Sequence, residues 1–198
     1  MLVEISPNTV DFQPKLDEFE QKITPKTKAV IVNNPNNPTG VVYSEETIKK
    51  LAAIMEAKQK EFGTDIVLIS DEPYRELVYD GAQEDFLTKY YHNTIVGYSF
   101  SKSLSLPGER IGYVVVPDEV TDAQTMLAGI EVANRTLGFV NAPSLMQKAV
   151  ACCVHEKTDL AFYDKNRKVL YEGLTKLGFT CVKPQGAFYL WMRSPIAN

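Results

Sequence analysis

Residues 65–74 read DIVLISDEPY and residues 94–102 read TIVGYSFSK, two apolar runs that each break into a polar cluster. A short apolar run ending in turn and site residues is the mark of a buried strand in a layered α/β fold, where ligands sit outside the C-terminal ends of parallel strands. The form recurs at residues 29–33, which run into NNPNNPTG (33–40), and at residues 111–116, which follow GERIG (108–112). The pattern predicts strands over residues 29–33, 65–70, 94–98 and 111–116, separated by helical stretches, as in a mainly parallel sheet.

The helical stretches are legible in the same way. Residues 45–62 place Ile48, Leu51, Ala52 and Met55 on one face, with Ser44 as N-cap, acids in the first turn and Gly63 as the stop. Further helices are expected over residues 118–134, 144–155 and 159–177, the last with Leu160, Tyr163, Leu170, Leu174 and Leu177 at helical spacing before Gly178. The polar stretch 155–159 reads as a hinge, which divides the chain into residues 1–155 and 156–198. The second part holds one helix and two short strands, near 180–182 and 187–191, too little for a sheet with its own core. It reads as the beginning of a domain, and residues 1–5 read as a strand entering a sheet that already exists.

The polar strand ends carry a specific set of groups. Lys102 offers an amine, and Asp71 offers a carboxylate able to keep a ring nitrogen protonated. Tyr74 and Asn37 offer donors for a phenolic oxygen, while Arg110, Ser99 and Ser101 offer a bidentate cation and hydroxyls suited to a phosphate. Pyridoxal 5′-phosphate makes all of these demands, since its aldehyde condenses with an amine and its ring withdraws electrons while the pyridine nitrogen stays protonated.

Three ordered blocks, NNPNNPTG (33–40), SDEPYREL (70–77) and SFSKSLSLPGERIG (99–112), followed by PQGAFYLW (184–191), resemble the fold-type I aminotransferases of the aspartate aminotransferase superfamily. The resemblance spans essentially the whole chain. It implies a three-layer α/β sandwich with a mainly parallel sheet, the large cofactor domain in part over 1–155, and the beginning of a small α+β domain over 156–198. By position, Lys102 matches the Schiff-base lysine and Asp71 the partner of the pyridine nitrogen. Tyr74 and Asn37 match the ligands of the phenolic oxygen, and Ser99 and Arg110 match phosphate ligands. The implied reaction moves an amino group between an amino acid and a 2-oxo acid, in a homodimer whose active site is shared.

The resemblance also implies features with no counterpart here: an upstream phosphate-binding turn, an aromatic residue stacked on the ring, and a downstream arginine for the substrate carboxylate. Arg193 does not fall at that arginine's position. This chain alone is therefore expected to be inactive or nearly so. The rival readings are a non-catalytic fragment acting as a packing or dimerisation module, and a lyase of the same fold using the same lysine, aspartate and tyrosine.

Plainer readings exist for each motif. NNPNNPTG is rich in turn residues and Asp71 would serve as a helix N-cap, although that leaves Tyr74 without a role. Arg110 could pair with a surface acid such as Glu109. Ser99 to Lys102 also fits the Ser-x-x-Lys acyl-transfer pattern, but Ser70-Asp71 continues with Glu72 and Lys26-Thr27 with Lys28, so the partner motifs fail.

Composition narrows the rest. The chain has 198 residues, 44% hydrophobic and 23% charged, with a net charge of −4 and scattered basic residues, which disfavours a nucleic-acid surface. Cys152, Cys153 and Cys181 form no CxxC pair and no zinc spacing with His92 or His155, so neither a metal site nor a disulfide framework is expected. No stretch has the length of a membrane span and the first residues lack a signal-peptide pattern, so a reducing cytoplasmic setting is expected.

Overall fold

In a computed structural model, which describes residues 1–196, four strands form one sheet in the order β1-β2-β3-β4. These are β1 (Ala29–Asn33), β2 (Val67–Asp71), β3 (Thr94–Ser99) and β4 (Gly112–Val115). The first three are parallel, with Ala29 opposite Val67 and Leu68 opposite Thr94, and β4 runs antiparallel to β3 with Ser99 opposite Gly112. The sheet is thus mainly parallel, as the alternation of apolar runs and helices requires. The helices are α1 (Leu16–Lys22), α2 (Glu45–Phe62), α3 (Phe100–Ser103), α4 (Ala123–Thr136), α5 (Ser144–Cys153) and α6 (Leu160–Lys176).

The β1-to-β2 crossover is α2, and its ends follow local chemistry. The Thr47 amide donates to the Ser44 side chain at 3.1 Å, and Gly63 closes the helix in the left-handed region at φ 62°. Its buried stripe of Ile48, Leu51, Ala52 and Met55 packs with Phe19 and Ile23 against Val32 and Leu68 of the sheet, and Ile66, Leu87 and Tyr91 complete this core. Burying each of the larger aliphatic side chains and Phe19 contributes about 1.5–3 kcal/mol before entropy is counted. The other sheet face carries Ile31, which is 62% exposed.

Several elements depart from the sequence expectations. The second strand covers Val67–Asp71, starting two residues later than expected and ending one later, so Asp71 stands at the strand end as the site reading has it and the rival reading of a helix N-cap fails; the residues after it form a turn. The sequence reading missed α1, whose seven residues bury only Phe19 and show too little periodicity. The helix expected from residue 118 begins at Ala123, after a turn in which Asp122 has φ 52°. Residues 1–5 form no strand, the strand expected near 180–182 reduces to an isolated bridge of Cys181 with Met192, and 187–191 is irregular, with Gly186 just before it bridging Val78. Short runs lacking a full partner strand do not sustain a ladder. No helix among the described residues is long and apolar enough to cross a membrane.

The stretch 184–189 threads between the 33–40 loop and the chain after β2. Gln185 and Gly186 amides both donate to the Gly40 carbonyl, at 2.8 and 2.9 Å, while Ala187 N donates to Leu77 O and Tyr79 N to Gln185 O, each at 2.8 Å. The Tyr79 hydroxyl donates to Ala187 O at 2.6 Å. Arg167 of α6, its side chain 7% exposed, clamps this crossing by donating to Pro184 O at 2.8 Å and to both carboxylate oxygens of Asp80. Gly186 leaves no room for a side chain, because a Cβ there would lie 2.6 Å from Pro35 Cβ and 3.0 Å from Leu77 O. Gly186→Ala is therefore expected to destabilise the protein by about 1–3 kcal/mol in urea or thermal denaturation; an unchanged midpoint would show that the crossing is loose.

Candidate active site

Each strand of the parallel part of the sheet delivers a polar group at its C-terminal end. The 33–40 loop follows β1, Asp71 and the turn holding Tyr74 close β2, and Ser99 with α3 follows β3. In-register pairing of Asn33 with Asp71, and of Asp71 with Gly97, brings these ends level.

Asn33, which the motif reading did not single out, organises the first two. Its Nδ2 donates to Asp71 Oδ2 at 3.0 Å and to the Asp71 carbonyl at 3.1 Å, and its Oδ1 accepts the Asn37 amide at 2.7 Å. One side chain thus holds both the carboxylate and the loop that carries Asn37. Burial raises the Asp71 carboxyl above its usual range, and the bond from Asn33 pulls it back down.

The turn after Asp71 is fixed by the residue between the two site groups. Glu72 is 1% exposed and takes the opposite direction, accepting from Ser70 Oγ and pairing with Arg75. With Glu72 anchored inward, Tyr74 lies on the site side, itself 4% exposed. Its hydroxyl accepts from Asn37 Nδ2 at 3.4 Å and lies 2.6 Å from the Tyr189 hydroxyl. Burial, then the Tyr189 contact, drive its ionisation far above the ordinary tyrosine range, so Tyr74 is a neutral donor at pH 7.

Lys102 lies on the short α3. That helix is tied down by Tyr98, whose hydroxyl sits 2.6 Å from Glu76 Oε1 and 2.7 Å from Ser103 Oγ, and by Thr158 Oγ1, which donates to Ser103 O at 2.9 Å. The Lys102 ammonium is 5.7 Å from the Tyr74 ring centroid and 5.3 Å from that of Phe188, within cation–π range of both faces. Among the described residues it makes neither an ion pair nor a hydrogen bond, so the amine is held by ring faces that do not consume its protons.

Ser99 and Ser101 form one hydroxyl pair. Their Oγ atoms are 2.6 Å apart, and the Ser101 amide donates to Ser99 Oγ at 3.1 Å. Ser99 is engaged with Ser101 and not with Lys102, which leaves the acyl-transfer reading without its catalytic contact. Arg110 follows a 3-10 turn, at φ 51°, and its guanidinium donates to Pro107 O at 2.9 Å. Because Phe100 N donates to Ile111 O at 3.1 Å and Gly112 pairs with Ser99, Arg110 stands beside the two serines at the same sheet end.

The structure therefore gathers Asn37, Asp71, Tyr74 and Lys102, and places Ser99, Ser101 and Arg110 along the adjacent rim. Phe188 and Tyr189 come from 184–191, a block that carries the resemblance as a whole but in which neither aromatic is marked as a site residue, since such a pair after Gly186-Ala187 reads as core. An amine, a carboxylate, a neutral phenol and an amide donor, with two hydroxyls on the adjacent rim and Arg110 next to them through the β3–β4 pairing, its guanidinium on the Pro107 carbonyl, suit a flat electron-poor ring bearing a phenolic oxygen and an anionic tail.

Comparison with known proteins points the same way. The model of the family described as aminotransferase class I and II matches residues 3–197. The aspartate aminotransferase of Geobacillus stearothermophilus is 36% identical over 184 residues, covering 88% of this chain and 44% of that protein. A probable aspartate/prephenate aminotransferase of Thermus aquaticus is 37% identical over 194 residues, 94% of this chain and 48% of that protein. The crystal structure of an amino transferase from Eubacterium rectale superposes with a TM-score of 0.94 at 55% identity, covering 98% of this chain and 48% of that one. The chain spans about half the length of the relatives it matches.

The Asn33 contacts carry a pH-dependent consequence. Removing the donor in Asn33→Ala is expected to move the Asp71 titration midpoint upward, as read from the carboxyl ¹³C shift. A folded-state pKa raised further means that the native state gives up its proton less readily than the unfolded chain. Loss of the bonds to the Asp71 carbonyl and from the Asn37 amide should weaken the variant at every pH, and the deficit should grow by a further ~1 kcal/mol as pH rises from below the unfolded pKa toward 7, a figure kept low by the carboxylate's exposure. A midpoint that stays or falls would show that Asn33 does not hold the anion.

Proposed function

Because this chain belongs to the aminotransferase class I and II family, we propose that its protein is a pyridoxal-phosphate-dependent aminotransferase. It would move an amino group between an amino acid and a 2-oxo acid, with Lys102 as the residue that holds the cofactor and shuttles the proton. The observation that carries this reading is the convergence of Lys102, Asp71, Tyr74 and Asn37 at one end of the sheet, with the Lys102 ammonium 5.7 Å from the Tyr74 ring and the Tyr74 hydroxyl bonded to Asn37. The aspartate substrates in the relatives' names bear on those proteins; here the proposal extends to the substrate class and no further.

The donor set fits the cofactor, group by group. Bound here, the cofactor supplies an electron-withdrawing ring that makes the proton on a substrate α-carbon removable. Lys102 would hold the aldehyde carbon at rest, and its amine, once free, would take the substrate α-proton and return it to the former aldehyde carbon, across the intervening nitrogen, acting as base and then acid. Asp71 would keep the pyridine nitrogen cationic by charge pairing, and Asn33, donating to its carboxylate, would aim it and favour its ionised form. Tyr74, neutral and with Asn37 already donating to its oxygen, offers its own proton to the ring's phenolic oxygen. Ser99, Ser101 and Arg110 hold the phosphate through two hydroxyls and a bidentate cation.

Residues 1–155 belong in this reading to the cofactor domain, and residues 156–198 to the beginning of a second domain that contributes Phe188 and Tyr189. A homodimer in a reducing cytoplasm completes the proposal, motivated by the resemblance and by three cysteines that are all free.

Incubating the purified protein with stoichiometric pyridoxal phosphate, reducing with borohydride and mapping the peptides tests the reading. The cofactor should be fixed predominantly at Lys102, with a visible band that Lys102→Ala abolishes. Label spread evenly over surface lysines, or none at all, would sink the proposal.

A further inference from the structure

We propose that Tyr189 is a positioning residue that, acting through Tyr74, sets the pH at which Lys102 and its bound cofactor give up their shared proton. The inference rests on the cofactor reading above and assigns a role to a residue outside the expected ligand set.

The argument begins with the proton count at Tyr74. A phenol has one proton to donate and two lone pairs. The Tyr74 oxygen receives Asn37 Nδ2 at 3.4 Å and contacts the Tyr189 oxygen at 2.6 Å, a distance at which one hydroxyl must donate to the other. If Tyr74 donates to Tyr189, its proton is spent inside the pair. If Tyr189 donates to Tyr74, both Tyr74 lone pairs are filled and its proton is free to bond a ligand. An anionic oxygen arriving at the site selects the second arrangement, because only that one presents a donor. Tyr189 then backs Tyr74 in a two-step chain, and such chains strengthen each donor by roughly 10–30%.

Tyr189 is built to hold that place. Its ring stands edge-on to Tyr74, with centroids 5.6 Å apart at 78°, and lies against Phe188 at 5.0 Å. The backbone leading to it is pinned by the Gly40 and Leu77 carbonyls and by the Tyr79 hydroxyl. The titratable groups around the pair are Asp71 at the end of β2, Lys102 on α3, Tyr79 after β2, and Tyr163 on α6, which stacks on Phe188 at 5.9 Å. Asp71 opposes a negative charge on Tyr74. None of these four touches the Tyr74 hydroxyl; among the described residues the titratable group that does is Tyr189.

The consequence has a sign. A weaker donor at Tyr74 leaves the ring's phenolic oxygen more basic, so the proton shared between that oxygen and the lysine-derived nitrogen persists to higher pH.

The test is the pH titration of the visible absorbance of the cofactor-loaded protein. Tyr189→Phe should raise the midpoint by on the order of half a pH unit, Tyr74→Phe should raise it more, and the double variant should match Tyr74→Phe alone. Replacing Tyr189 by 3-fluorotyrosine, nearly isosteric and a stronger donor, should lower the midpoint, and it serves equally if Tyr189→Phe fails to fold. A wild-type midpoint in both variants overturns the inference, as does a double variant shifted beyond Tyr74→Phe. A wild-type protein with no absorbing cofactor on Lys102 overturns the cofactor reading itself, a different result from a loaded protein indifferent to position 189.

Discussion

Parallel pairing of β1 with β2, ending at Asn33 opposite Asp71, is the constraint on which the rest of the site depends. It makes two strand ends finish level, so the side chain of one can reach the backbone and carboxylate of the other. Asn33 uses that alignment three times, twice on Asp71 and once on the Asn37 amide. A one-residue slip would turn Asn33 and Asp71 to opposite faces. The α2 stripe prevents the slip, because Val32 and Leu68 must stay beneath Ile48, Leu51 and Met55.

A second constraint comes from far along the chain. The stretch 184–189 contributes neither a strand nor a helix, yet its amides are satisfied by Gly40 and Leu77 and it carries Phe188 and Tyr189 to the ring of Tyr74. Arg167 secures it through Asp80 and Pro184. The site is therefore assembled from both parts of the chain. The buried anchor Glu72 serves the same end locally, since its inward carboxylate leaves Asp71 and Tyr74 beside Asn33 and Asn37 at the sheet end.

Much of this was legible beforehand, for reasons that differ by residue. Lys102, Asp71, Tyr74 and Asn37 lie in dense local motifs at strand ends, where turn chemistry and an unusual functional group coincide. The ends of α2 were legible because Ser44 and Gly63 act within one turn. Asn33 was hidden inside a turn-rich block, where one more asparagine carries no distinguishing signal. Tyr189 was hidden because an aromatic residue's partner depends on which segment lies across from it, and that segment is 115 residues away.

By itself the sequence determined the α/β class, the order of the elements and the chemical identity of the groups, because apolar period, capping and functional-group type are properties of neighbouring residues. Only the tertiary structure decided that Asn33 holds the Asp71 carboxylate, that residues 1–5 and 187–191 form no ladder, and that the Tyr74 hydroxyl meets Tyr189. Those outcomes depend on hydrogen-bond partners supplied by distant parts of the chain, and a hydrogen bond has no local signature until its acceptor has been brought within about 3 Å.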